Sequence, residues 1–83
     1  MINNVEAKFF ELSELLYNND PAGTCCAENK VTDEYDKESF TILQLNEFTQ
    51  ESVHSVFSEM FDGYYDKEVI DKIFPTIKRI VLS

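Results

Sequence analysis

Glycine is scarce in this chain: Gly23 and Gly63 are the only two among 83 residues. That excludes a loop of several glycines cradling a phosphate. Histidine is scarcer still. Nucleophilic catalysis needs a base beside the nucleophile, and His54 is the single imidazole on offer. It follows Val53 but falls off the stripe of Val56, Phe57 and Met60, so it reads as an exposed surface histidine. The two cysteines, Cys25 and Cys26, are adjacent. Neighbours close a disulfide only with strain, which argues against a secreted disulfide framework. They also lack the two-residue gap of a zinc knuckle and have no histidine nearby. They read as loop thiols, one of them tucked into the core. No apolar run approaches a membrane span, and Met1-Ile2-Asn3-Asn4 lacks a basic region followed by an apolar one. The expected location is the cytoplasm. There is no internal repeat.

Basic residues are the other deficit. Sixteen Asp and Glu oppose seven Lys and Arg, a net charge of −9. The imbalance is concentrated: Phe9 to Asp66 holds thirteen acids against Lys30 and Lys37. From Lys72 onward the chain has Lys72, Lys78 and Arg79 and no acid. Such a field repels nucleic acid and anionic membrane and attracts basic protein surfaces. With 43% hydrophobic residues the chain is too apolar for intrinsic disorder. Its length fits one domain, residues 1–83, with a small core.

Apolar spacing predicts helices. Ile2, Val5, Phe9, Leu12 and Leu16 form one face of a first helix, widened by Phe10 and Tyr17. Asn3 or Asn4 caps its start, with Glu6 placed as in a capping box. Pro21 ends it near Asn18-Asn19-Asp20. Residues 20–33 read as a long loop punctuated by Pro21 and Gly23. A second helix begins around Asp33 to Asp36, capped by Thr32, Asp33 or Asp36. It turns Phe40 and Leu43 inward, with Ile42 and Leu45 as further candidates, and stops before Thr49, which caps the next. The third helix has the clearest stripe, Val53, Val56, Phe57, Met60, Phe61 and Tyr64, ending near Gly63. Asp66 caps a fourth segment bearing Val69, Ile70, Ile73, Phe74 and Ile77, which Pro75 either ends at Ile73 or Phe74 or kinks. The tail Ile80-Val81-Leu82 is taken as helix, because a lone strand would have no partner. The expected fold is all-α, a single-domain three- to four-helix bundle with a long loop between the first two helices.

No metal or cofactor is expected. Asp62-Gly63-Tyr64-Tyr65-Asp66 lacks the ligand spacing and final glutamate of a calcium loop. Capping explains the Asp33, Glu34 and Asp36 cluster more simply than a cation does. In the intervening loop, Pro21 stops a helix and Gly23 permits a turn. Asp20 and Asp33 can accept amide hydrogen bonds, and Tyr35 can lay its ring on the core with its hydroxyl wet. Asp20-Pro21-Ala22-Gly23 followed by Asp33-Glu34-Tyr35-Asp36 resembles a signature of small acidic bacterial proteins of immunity (antitoxin) or unknown type, across roughly residues 9–45.

Two acidic surfaces stand out as partner-binding candidates. One is Asp33, Glu34 and Asp36. The other is Glu59, Asp62, Tyr65 and Asp66, where a tyrosine beside charge has the composition of a protein interface. Tyr64 continues the apolar stripe and is assigned to the core, which leaves Tyr65 for the interface. The reading is a non-enzymatic immunity protein that binds and neutralises a basic, nuclease-type toxin. Two alternatives remain: a phage-type inhibitor mimicking nucleic-acid charge, or a small helical regulatory domain that forms a homo-dimer.

Overall fold

A computed structural model describes residues 4–23 and 34–83. These residues form four α-helices and no strand: α1 (Asn4–Asn19), α2 (Asp36–Leu43), α3 (Gln50–Met60) and α4 (Lys67–Leu82). α1 packs on α2 and α4, and α3 packs on the same two, so the helices close into a four-membered ring around one core. Among the described residues no helix is long and apolar enough to cross a membrane.

Leu12 and Leu16 from α1, Ile42 from α2, and Val53, Val56 and Phe57 from α3 fill that core. α4 adds Ile70, Ile73, Ile77 and Ile80 at helical spacing. The expected face of α1 is too long. Val5 and Phe10 are exposed, at 63% and 58%, and Ile2 lies outside the described residues. Phe40 of α2 is also exposed, at 55%, and Ile42 takes the inward place instead. In α3 the stripe weakens after Phe57: Phe61 is half-buried, Met60 is 40% exposed, and Tyr64 is 80% exposed. The cause is local. α3 stops at Met60, and Asp62 and Gly63 then take positive φ, so Tyr64 is no longer in helical register. Gly63 N–H bonds to the Ser58 carbonyl at 2.9 Å, as in a Schellman stop.

The caps are mixed. Thr49 closes a capping box with Ser52, and Asp66 accepts from the Glu68 and Val69 amides at the start of α4, as the sequence suggests. α2 differs: its N-cap is Tyr35, with no side-chain cap bond. Thr32 and Asp33, the Cys25–Cys26 pair, Asn3, the Asn4 side chain and the loop from residue 24 to 33 lie outside the described residues.

Pro75 neither ends nor splits the last helix, which runs on to Leu82. Proline lacks the amide that would donate to the Asp71 carbonyl. The helix persists because its four isoleucines are anchored in the core on both sides of residue 75. Pro75 itself is exposed. Pro75→Ala is therefore expected to stabilise the fold by about 1–2 kcal/mol, the helix-interior cost of proline less its restriction of the unfolded chain. A urea unfolding midpoint at or below that of the parent chain would contradict this.

Tyr35 of the second motif meets the Asp-Pro-x-Gly turn in space. Asp20 leaves α1 at φ +44, and the Gly23 amide bonds back to the Asp20 carbonyl at 3.0 Å, forming a turn around Pro21. The Tyr35 hydroxyl donates to Asp20 Oδ1 at 2.6 Å and accepts from the Ala22 amide at 3.0 Å. The Tyr35 side chain is fully buried, so the expectation of a wet hydroxyl is corrected: a carboxylate and an amide replace water around it. The Asp66 amide adds a bond to the Pro21 carbonyl at 2.6 Å. One clasp thus joins the end of α1, the start of α2 and the cap of α4.

Candidate partner-binding surface

The end of α3 and the α3–α4 turn carry three of the six acids singled out in the sequence. Glu59, Asp62 and Asp66 are all exposed. Asp66 uses its carboxylate for the α4 cap, which leaves Glu59 and Asp62 as the unburdened charges of the pair of turns. The two tyrosines exchange their expected roles. Tyr64 projects from the turn into solvent, whereas Tyr65 is half-buried against Phe57, ring centroids 5.7 Å apart. Tyr64 is thus the open aromatic beside the acids.

Tyr65 is held by a hydrogen-bonded chain that crosses from α3 to α4. Its hydroxyl lies 2.7 Å from His54 Nδ1, and His54 Nε2 lies 2.7 Å from Asp71 Oδ1. Gln50 donates to the same Asp71 oxygen at 2.6 Å. An ionised carboxylate only accepts, so Nε2 carries the hydrogen it donates to Asp71. In the neutral ring Nδ1 is then the acceptor for the Tyr65 hydroxyl. His54 is therefore not the free surface histidine expected from its place off the stripe; it is half-buried and engaged at both nitrogens. The bonds from His54 and then Gln50 hold the Asp71 carboxyl below its ordinary range. Burial, then the Asp71 charge, push the Tyr65 hydroxyl above its own. Mechanically the chain clips α3 to α4.

A depressed carboxyl stabilises the fold above its unfolded pKa, and that contribution is lost as pH falls through the folded value. Asp71→Asn should accordingly lower the urea midpoint at neutral pH, with the difference from the parent closing as the pH drops below the carboxylate range. A difference that widens on acidification would show that the clip is not held by the ionised carboxylate.

The other acidic group is divided by the structure. Asp33 lies outside the described residues. Glu34 and Asp36 are both half-buried but face different cavities. Asp36 joins Phe9, Phe10, Ser13, Glu14, Tyr17 and Asn18 around a cavity of about 530 Å³ between α1 and α2. Glu34 joins Lys37, Glu38 and Met60 around one of about 460 Å³. Glu34 is thus drawn toward the end of α3, on which Glu59 also sits.

Two features escaped the sequence reading. Val5, Phe10 and Phe40 form an exposed apolar face with Phe9 and Leu43 between α1 and α2. Glu38 is buried at 5% exposure, and its Oε2 has no hydrogen-bond partner among the described residues. The second had a signal: Glu38 stands three after Tyr35 and four before Ile42, in the helical register of both buried residues. Compared with known protein families, characterised proteins and solved structures, the chain matches none.

Proposed function

We propose that this chain is an immunity-type protein that binds a basic, nuclease-type toxin one to one and blocks it without catalysis of its own. The observation that carries the reading is the exposed group of Glu59, Asp62 and Tyr64 at the α3–α4 turn of a molecule with net charge −9. A toxin that handles nucleic acid presents Lys and Arg for phosphate. Acids on a rigid helical frame match that surface, and opposite charge speeds encounter. A desolvated aromatic anchor such as Tyr64 then sets the lifetime of the complex. The basic partner is identified by capture from the host and by its inhibition in a nuclease assay at one equivalent of this protein. Glu59→Lys with Asp62→Lys should slow association about tenfold or more and flatten its salt dependence. Unchanged association would remove the α3–α4 turn as the site, and a captured set without a basic nucleic-acid enzyme would end the toxin reading.

The exposed face of Val5, Phe10 and Phe40 favours a second reading, a domain that dimerises. The exposed Lys78 and Arg79 of one copy would then meet the acidic body of the other. Sedimentation equilibrium distinguishes the two: a monomer at the highest soluble concentration excludes the dimer.

A further inference from the structure

Val5, Phe10 and Phe40 stand exposed together on the side of the molecule where α1 lies along α2. Large apolar side chains gathered on one surface mark a place where something docks. Two cavities run along this side. One, of about 480 Å³, has Val5, Phe9, Phe10, Phe40 and Leu43 for walls. The other, of about 530 Å³, starts from the same Phe9 and Phe10 and takes in Ser13, Tyr17 and Asp36. The shared rings, edge to face at 5.6 Å, make the two into one groove. Val5 to Asn18 covers about 20 Å of α1 along it. The groove is built in advance of any partner. Ser13 Oγ donates to Ser39 Oγ at 3.0 Å, and Ser39 Oγ donates to the Tyr35 carbonyl at 2.9 Å, which fixes α1 to α2 through buried groups.

The rim of the groove is acidic. Glu14 and Asp36 border one half and Glu6 the other, and among the described residues no Lys or Arg lines either. Lys8 is turned to the Val81 carbonyl. Glu14 also borders a cavity that Arg79 lines from α4, and no ion pair joins them. An extended peptide would lay unpaired amides and carbonyls on the phenylalanine rings, whereas a helix satisfies its own backbone. A second copy set face to face about a two-fold axis would bring the same acids into one interface with no cation among them. We propose that the α1–α2 groove receives an amphipathic helix of a partner protein, roughly 13 residues long, its apolar stripe on Phe9, Phe10 and Phe40 and its flanking Lys or Arg toward Glu14 and Asp36. The groove shares no residue with the Glu59, Asp62 and Tyr64 group, and its use does not depend on the toxin reading.

The probe is a peptide of roughly 14 residues, capped at both ends, with Leu at helical spacing on one face, Lys beside it and Ala elsewhere. Titrated into the whole chain and followed by NMR, it should give saturable shifts at the Val5 and Leu43 methyl groups and at the Phe10 and Phe40 rings. The same peptide with Glu in place of Lys should bind at least about tenfold more weakly. A scrambled peptide of equal charge, with no apolar face, should do likewise. Phe10→Ser with Phe40→Ser removes two exposed rings; it should keep an unfolding midpoint close to the parent's and lose at least about tenfold in affinity. Glu14→Lys should weaken the Lys peptide and strengthen the Glu peptide, an exchange that damage to the fold would not produce. Equal binding of the scrambled peptide, shifts confined to the α3–α4 turn, or undiminished binding after Phe10→Ser with Phe40→Ser would overturn the proposal. Shifts of the same groups with protein concentration alone would give the groove to a second copy, and shifts with phosphatidylcholine vesicles would give it to a bilayer; either overturns the helix assignment. Failure here leaves the toxin reading standing, and failure to find a nuclease leaves a positive titration standing.

Discussion

Phe57→Ala should remove about 3–5 kcal/mol of stability, a large share of what a chain of this length has to lose. At roughly 0.05–0.15 kcal/mol per residue, an 83-residue domain holds about 4–12 kcal/mol in all. Phe57 is fully buried and sits among three other rings: Tyr35 at 6.4 Å, Phe61 at 5.9 Å and Tyr65 at 5.7 Å between centroids. Truncation leaves a void that those rings cannot fill together. Tyr35 is fixed by its hydroxyl in the Asp20 clasp, and Tyr65 by His54. Two of the three neighbours are thus tied at the far end, which places the expected cost toward the upper part of the range. Circular dichroism through a urea titration measures it, with Phe40→Ala as the exposed control expected to change little. A loss near 1 kcal/mol for Phe57→Ala would mean that the clasp and the clip yield more readily than their geometry implies.

Tyr35→Phe is the sharper test, because it deletes a single oxygen. That oxygen bonds both the Asp20 carboxylate, which loses this donor, and the Ala22 amide, which loses this acceptor. A hydrogen bond to a charged group contributes about 1.5–3 kcal/mol, and leaving a partly buried amide unpaired adds to the loss, so a cost of about 2–3 kcal/mol is expected. Asp20→Asn keeps a side chain that tolerates the positive φ at this position and weakens the acceptor. A double-mutant cycle between the two should give a coupling of about 1 kcal/mol or more. Additive losses would show that the hydroxyl and the carboxylate act separately.

These two residues also show how much of the structure is legible in the sequence. Phe57 lies on the most regular apolar stripe of the chain, and period alone places it in the core. The four isoleucines of α4 are legible in the same way, as are the caps at Thr49 and Asp66, because each depends on residues within a turn of one another. Tyr64 and Phe40 mislead for a related reason. They extend an apolar pattern past the point where the backbone or the neighbouring helix supports it: Tyr64 follows two left-handed residues, and Ile42 fills the place expected of Phe40. The links among Tyr35, Asp20 and Asp66 and among His54, Tyr65 and Asp71 depend on how helices are set side by side, and no local spacing encodes that. Of the candidate surface, the acids Glu59 and Asp62 were readable from composition and position. The exchange between Tyr64 and Tyr65 was not, since it follows from the sharp stop at Met60. Glu38 lay between these cases: its register was readable, but an acid on an inward face runs against the ordinary rule that charge stays outside.

The Lys8 ammonium bonds to the Val81 carbonyl at 3.1 Å across 73 positions of sequence, at the seam where α1 lies against α4. A ribosome makes α1 first of the four helices and α4 last. Until α4 emerges, the nascent chain can lay α1 only on α2, and the surface of Leu12 and Leu16 meant for the isoleucines stays without its cover. Closure of the core is then expected to wait for α4. Pauses in translation ahead of α4 are therefore expected to prolong the interval in which the unfinished polypeptide is exposed to aggregation or proteolysis.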